Sequence, residues 1–383
     1  MKNIILGKRI ITGKGALTFL ATVKYKNAFL VTGGSSMIKS GVIDKCCEYL
    51  KEAGCGVTVF SGICKNPTIY EVMAGVDKMR KVKPDVVIAV GGGSSMDAAK
   101  GMLLFYEFPE LTFENVLDKN KAGLIPSDRA TGLICVASTS GTGSEVTRGT
   151  VITDPEKRLK VPIMTDCLRP DYAILDPQIV MSMPFDVAAQ TGMDALTHAM
   201  EAYTNHNLDD FDEAICVSAI AGIMKYLPLS CLFPTLENRE KMHNYQAMAG
   251  IGFVNVGLGA VHGIAHSFGA VYNLAHGLTN AVILPYILEF NKRDERVREK
   301  LRVLSERCGC EDIIQSVYDL RAKLKIPNSF QEAGVSEKEF QKDYELLTDH
   351  AMLGATNVNP VKIDKDMMYR LINTVYYGLK IED

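Results

Sequence analysis

Residues 85–100 read DVVIAVGGGSSMDAAK, and the fold is decided there. Asp85 to Val90 is an apolar, β-branched run with no polar alternation, the mark of a strand covered on both faces of a parallel sheet. It runs into Gly91, Gly92 and Gly93 and then into Ser94-Ser95-Met96-Asp97-Ala98-Ala99-Lys100, which opens a helix. Glycines let main-chain amides approach an anion closely, and the unpaired N–H groups of a helix start favour negative charge. At the carboxyl end of a buried strand, where open α/β sheets bind ligands, such a loop reads as a phosphate site. The bland alternative is a turn that merely joins strand to helix. Ser94 and Asp97, three residues apart, read as a capping pair.

Moving outward, Asn27–Thr32 (NAFLVT), Gly56–Phe60 (GVTVF) and Gly132–Ala137 (GLICVA) are three more runs of the same kind. With helical patterns between them they make βαβ units, hence an α/β, Rossmann-like, doubly wound domain. A second loop follows the GLICVA strand: Ser138-Thr139-Ser140-Gly141-Thr142-Gly143-Ser144-Glu145. Its five hydroxyls and two glycines form a dense donor surface suited to a pyrophosphate or a ribose. From about Asp186 the pattern becomes helical, over Asp186–Thr204 and Arg239–Ala270, with Pro184 and Pro285 as punctuation. The turn-rich DPQIVMSMP at 176–184 marks a joint. The expected organisation is an α/β N-terminal domain over 1–180 and an all-helical C-terminal domain over 181–383.

Bulk properties exclude several classes. The 383 residues carry 47% apolar and 23% charged side chains, ordinary globular values. A net charge of -3 gives no electrostatic reason to invoke nucleic acid or an anionic membrane. The opening MKNIILGKRIITGKGAL is broken at Gly7, Lys8 and Arg9, too short for a signal-peptide core. No uninterrupted apolar stretch approaches the ~18 residues of a membrane span. The 10 cysteines lack CxxC spacing, so they read as reduced thiols of a cytoplasmic protein, Cys308-Gly-Cys310 included.

Four of the 7 histidines fall in two windows. In GMDALTHAMEAY, Asp194 and His198 are four apart and share a helix face. In GAVHGIAHSFGAVYNLAHGLTNA, His262 and His266 are four apart and His276 follows. On one straight helix His262 and His276 would lie about 21 Å apart. A shared ion therefore requires the chain to turn back, at Gly269 or within 273–275. Imidazoles plus a carboxylate suit Fe(II), Zn(II), Mn(II) or Co(II), but spacing does not choose which three of the four histidines bind. His206, His243 and His350 read as hydrogen-bonded core residues.

Taken together, AVGGGSSMDAAK, STSGTGSEVT, ILDPQIVMSMP, TGMDALTHAMEAY, GFVNVGLGAVHGIAHSFGA and NLAHGLTNAVILPYILEFN resemble the iron-containing (group III) alcohol dehydrogenases, in that family's order over about residues 27–291. The resemblance implies the dehydroquinate synthase-like, iron-type alcohol dehydrogenase fold, and is strongest toward the lactaldehyde, butanol and 1,3-propanediol enzymes. It implies Asp194, His198, His262 and His276 as metal ligands, for Fe(II) or Zn(II), and His266 as a non-ligand histidine beside the nicotinamide. It implies Asn66, Gly92, Gly93, Ser94, Ser138, Thr139, Thr142 and Lys160 at the cofactor, and Phe253 in the substrate pocket. Two departures stand out. Ala137-Ser138-Thr139 replaces the family's Pro-Thr-Thr, and Asn359-Pro360-Val361 replaces Asn-Pro-Arg.

Members restricted to NAD often carry an acid after the first strand. Here Thr32-Gly33-Gly34-Ser35-Ser36-Met37-Ile38-Lys39 has none, which favours NADP(H) over NAD(H). The expected reaction is reversible hydride transfer between the nicotinamide and a small primary alcohol or aldehyde, the ion acting as Lewis acid in a homo-oligomer. The rivals are a glycerol dehydrogenase-like polyol enzyme and a metal-dependent hydrolase. The latter lacks an HExxH-type base.

Overall fold

The computed structural model describes residue 4, residues 7–157 and residues 159–381. Much of the opening run read as too short for a signal core, residues 1–3, 5 and 6, lies outside them. Two compact units adjoin in sequence at Met183 and Pro184.

The first unit holds β1 (Ile10–Thr12), β2 (Asn27–Gly33), β3 (Gly56–Ile63), β4 (Val86–Gly91), β5 (Gly132–Ala137), β6 (Gly149–Asp154), β7 (Leu159–Met164) and β8 (Tyr172–Leu175). Its helices are α1 (Ser36–Lys39), α2 (Val42–Glu52), α3 (Ile69–Val82), α4 (Gly93–Glu107) and α5 (Val116–Lys121). Six strands form an all-parallel sheet in the order β1-β8-β5-β4-β2-β3. Every residue of β4 and β5 is buried, which is why those runs show no alternation. Leu20, Leu30, Leu50, Ile88, Ile134 and Ile174 belong to one core cluster of this unit.

The strand order fixes where a ligand goes. The chain steps from β2 outward to β3, then returns across β2 to β4 and continues the other way. The reversal lies at the carboxyl ends of β2 and β4, the crevice where doubly wound sheets bind ligands. Gly33–Ser35 and Gly91–Gly93 are the loops at those two ends.

The second unit contains α6 (Phe185–Thr204), α7 (Asp210–Leu232), α8 (Leu236–Val256), α9 (Ala260–Tyr272), α10 (His276–Asn291), α11 (Glu295–Cys308), α12 (Ile313–Lys323), α13 (Glu337–Ala351) and α14 (Lys365–Tyr377). Among the described residues it has no strand. Asp209, Thr235, Asp294, Asp312, Ser336 and Asp364 cap the starts of α7, α8, α11, α12, α13 and α14 with side-chain acceptors. The helices α6, α9 and α10 have no such cap of their own.

Several expectations need correction. The helical pattern over Arg239–Ala270 is not one helix. It breaks at Gly257, whose φ of 107° suits glycine, and α9 leaves α8 bent by 105°. Between His262 and His276 the chain turns at Asn273, in the left-handed region with φ 52°. Gly269 stays inside α9. Pro285 does not punctuate; it lies within α10, as Pro228 does within α7. A proline there forfeits one helix bond, and α10, buried along nearly all its length, keeps its course through packing. Ser94 and Asp97 do not cap α4, whose N-cap is Gly92 with no side-chain bond. Ser94 Oγ instead accepts from Asn66 N, and Asp97 Oδ1 from Val151 N. His206 is not a core residue; its side chain is half exposed and its Nε2 lies 3.0 Å from Pro360 O.

Helix α7 alone is long and apolar enough to cross a membrane among the described residues, and 56% of its apolar stretch is buried.

Candidate functional site

In the helical unit, three helices without side-chain caps deliver one cluster. Asp194 and His198 stand one turn apart on α6, His262 sits near the start of α9, and His276 is the first residue of α10. Each offers one ligand atom, and the four atoms lie within 4.8 Å of one another. From Asp194 Oδ1 the imidazole Nε2 atoms are 3.9 Å (His198), 4.0 Å (His262) and 3.6 Å (His276) away. Tetrahedral ligands at the ~2.1 Å bonds of a first-row divalent ion stand about 3.4 Å apart, so a small inward movement suffices. Asp194, His198 and His262 are buried, while the His276 side chain keeps 29% exposure, leaving one open side.

Glu201 and Asn280 surround this set, and neither was singled out in the sequence. Glu201, one further turn along α6, is buried with both carboxylate oxygens engaged. Oε1 accepts from Val261 N at 2.7 Å, and Oε2 lies 2.5 Å from His262 Nδ1. A carboxylate there holds the proton on Nδ1 and leaves the Nε2 lone pair facing Asp194. It also satisfies an N–H at the uncapped start of α9, while Asn359 Oδ1 accepts from Ala260 N at 3.1 Å. Gly259 is required by this arrangement, since a Cβ would sit 2.9 Å from Glu201 Oε1 and 3.0 Å from Asn359 Oδ1. Asn280, one turn past His276, donates from Nδ2 to Asp194 Oδ1 at 2.6 Å. The same nitrogen lies 3.1 Å from His262 Nε2 and 3.2 Å from His276 Nε2. A carboxylate oxygen and imidazole lone pairs thus converge on one point, a donor set that fits a divalent cation.

His266 is outside the four; its ring stacks on His276 at 5.2 Å. Phe253 stacks on His198 at 4.3 Å. The close approach of α10 to α6 depends on Gly277, where a Cβ would meet Gln190 O at 2.3 Å.

In the α/β unit the two glycine loops press together. A Cβ on Gly92 would lie 3.1 Å from Thr139 Oγ1, and one on Gly93 2.9 Å from Thr142 Cγ2. Ser138 N bonds to Gly91 O. Asn66 takes the left-handed φ of 56°, and its carbonyl accepts from the Thr153 hydroxyl. Thr153 pairs with Lys160 across the β6–β7 hairpin. Asn66, Ser94 and Lys160 are therefore tied to one neighbourhood. Gly33 abuts Ser95 Oγ, while Gly34, Ser35 and Ser36 are exposed. The glycines thus let the two loops, at the carboxyl ends of β4 and β5, pack directly against one another.

Residues 7–177 match the iron-containing alcohol dehydrogenase family model, and residues 188–376 match its C-terminal region. The chain belongs to the iron-containing alcohol dehydrogenase family. It is similar to an NADPH-dependent butanol dehydrogenase of Clostridium saccharobutylicum, 38% identical with both chains covered in full. A 1-propanol dehydrogenase of Citrobacter freundii is 36% identical, covering 85% of this chain and 83% of that one. Among solved structures, the iron-containing alcohol dehydrogenase of Thermococcus thioreducens superposes with a TM-score of 0.91 at 32% identity, over 98% of this chain and 100% of the other. A 1,3-propanediol oxidoreductase gives 0.86 at 27% identity, over 98% and 100%. This iron-containing alcohol dehydrogenase is an NAD(P)-dependent oxidoreductase, with the family's parallel α/β unit and helical C-terminal region.

Proposed function

We propose that this chain interconverts short primary alcohols and their aldehydes, of the propanol, butanol or 1,3-propanediol kind, with NADP(H) preferred. The observation that carries the reading is the convergence of Asp194, His198, His262 and His276 on one point. The names of the similar proteins support the substrate class. A divalent ion held by those four residues supplies Lewis acidity toward the alcohol oxygen, and a bound dinucleotide supplies or accepts the hydride.

The chain's own residues do the rest. Glu201 keeps the proton on His262 Nδ1, so that Nε2 faces inward. Phe253, stacked on His198, offers an apolar surface to a short alkyl chain. His266, against His276, orients the nicotinamide or passes the alcohol proton outward. Residues 1–180 form the dinucleotide domain, in which Gly92, Gly93, Ser94, Ser138, Thr139 and Thr142 bind the pyrophosphate, with Asn66 and Lys160 beside them. Gly33, Gly34, Ser35 and Ser36 take the 2′-phosphate end, where the absence of an acid up to Lys39 favours NADP(H). Residues 181–383 form the metal and substrate domain. Fe(II) is the ion expected from the family, with Zn(II) the stronger binder on affinity. The free thiols of all ten cysteines fit a cytoplasmic setting, and we place the enzyme there as a homo-oligomer.

The test follows absorbance at 340 nm with metal-analysed protein, NADPH or NADH, and butanal, 3-hydroxypropanal or lactaldehyde. Ion-dependent oxidation that vanishes in His262→Ala is expected. No turnover with any aldehyde in protein carrying its ion would refute the reading.

A further inference from the structure

Lys100 lies midway along α4 and is fully buried, with 0% exposure. A buried ammonium needs partners for its three donors, and here it finds three main-chain oxygens. Nζ donates to Ser144 O at 2.7 Å, Thr147 O at 2.9 Å and Gly149 O at 2.9 Å. Those carbonyls run from the end of the second glycine loop to the first residue of β6. The intervening chain has a short 3-10 turn, Ser144–Val146, and is tied at Arg148 to Thr165 N and Asp166. The ammonium gathers the carbonyls between and beside them.

The same face of α4 holds the segment at further points. Asp97 O accepts from the Thr150 hydroxyl at 2.7 Å and Asp97 Oδ1 from Val151 N at 3.0 Å. Gly101 leaves room for Ile152, whose Cδ1 would be 2.9 Å from a Cβ there. At the start of α4, Gly92 and Gly93 receive Thr139 and Thr142. The helix thus grips the second loop at its glycines and again two turns later at Lys100. Burial pulls the lysine's pKa down, while Cys135, Asp97 and Glu145 favour its charged form.

We infer that Lys100 is a positioning residue for the dinucleotide, a built-in cation that locks residues 138–149 so that Thr139 and Thr142 stay over the first glycine loop. It acts through the loop, and the inference rests on reading the two glycine loops as the dinucleotide site. A methionine of similar length would take the ammonium's donors from all three carbonyls, leaving Ser144 O only its longer bonds from Thr147, and the carbonyls would turn away to find others.

The experiment titrates NADPH fluorescence on the full-length protein, wild type against Lys100→Met, with Zn(II) affinity of the helical unit measured by chelator competition. The dissociation constant for NADPH is expected to weaken about tenfold or more, the size of a lost charge-assisted hydrogen bond, while Zn(II) affinity stays within about twofold. In Lys100→Ala, ethylammonium is expected to recover part of the NADPH affinity where sodium at equal ionic strength does not. A role in stability alone would lower Tm without moving the dissociation constant of the folded protein. An NADPH affinity within about twofold of wild type in folded Lys100→Met overturns the inference, as does equal recovery with sodium. If the methionine variant fails to fold, Lys100→Gln, with two donors, is judged by the same criterion. Wild-type protein binding neither NADPH nor NADH would overturn the dinucleotide reading, and this inference with it.

Discussion

Replacing Glu201 with glutamine tests the proposed metal centre without changing any of the four residues proposed to hold the ion. The carboxylate accepts at both oxygens, from Val261 N and from His262 Nδ1, in a buried setting. Glutamine has the same shape but one acceptor and one donor. Whichever way the amide turns, one N–H faces another N–H, or the imidazole moves its proton to Nε2. The first outcome strains the start of α9; the second blocks the atom that faces Asp194. A charge-assisted hydrogen bond contributes about 1.5–3 kcal/mol, which corresponds to roughly ten- to hundredfold in ion affinity. The fold should survive, because Asn359 still accepts from Ala260 N. Competition for Zn(II) against a chromophoric chelator near neutral pH reads the affinity directly, and thermal unfolding with and without Zn(II) reads it by linkage. Glu201→Gln binding Zn(II) within about twofold of wild type would sink the argument.

Three further outcomes are expected. His276→Ala should lose stoichiometric zinc on dialysis and His266→Ala should keep it, by elemental analysis; the reverse would exchange their roles. Gly277→Ala should force α10 away from α6, because a Cβ meets the Gln190 main chain at 2.3 Å. Overpacking of about 1–3 kcal/mol corresponds to a fall of about 2–12 °C in Tm, together with weaker zinc binding, and an unchanged Tm would contradict the contact. Burial lifts the Asp97 carboxyl to about 6, against the pull of Lys100 and the bond from Val151. The folded chain therefore holds an extra proton between pH ~4 and ~6, and the stability this gives is present below that window and lost as pH rises through it. Asp97→Asn, which keeps an acceptor for Val151 N, should gain Tm over wild type progressively from about pH 4 to 7, and a pH-independent difference would refute it.

The continuous runs that became β2, β4 and β5 were legible because burial on both faces removes polar alternation. Strand β3, read as a run of the same kind, is instead the edge strand and is exposed or half-buried along all but its last residue. The strands β1 and β8 were not legible, being three and four residues long. The hairpin β6–β7 was passed over although buried residues alternate along β6, Thr150, Ile152 and Asp154 pointing inward. At the cluster of Asp194, His198, His262 and His276, spacing placed Asp194 and His198 on one helix face. Glu201 continues the same face at seven residues from Asp194, so the period that found His198 also reaches it. Asn280 stands one turn after His276 in the same way. Spacing required a turn between His262 and His276 and offered Gly269 or 273–275; what it could not supply was the choice of Asn273, which brings His276 to the cluster that excludes His266. Lys100 drew no reading of its own and Asp97 was read only as a capping partner, because a charged pair on a helix ordinarily faces water.

Helix α7 has a consequence for how the chain is made. Its apolar surface is covered by α6, already synthesised, and by α8, which follows it. At 5–20 residues per second, α8 is complete roughly 1–5 s after α7 leaves the ribosome. For that interval the nascent chain displays a segment that hydropathy alone cannot tell from a membrane anchor. A chain cut short between α7 and α8 should aggregate where one cut before α7 does not.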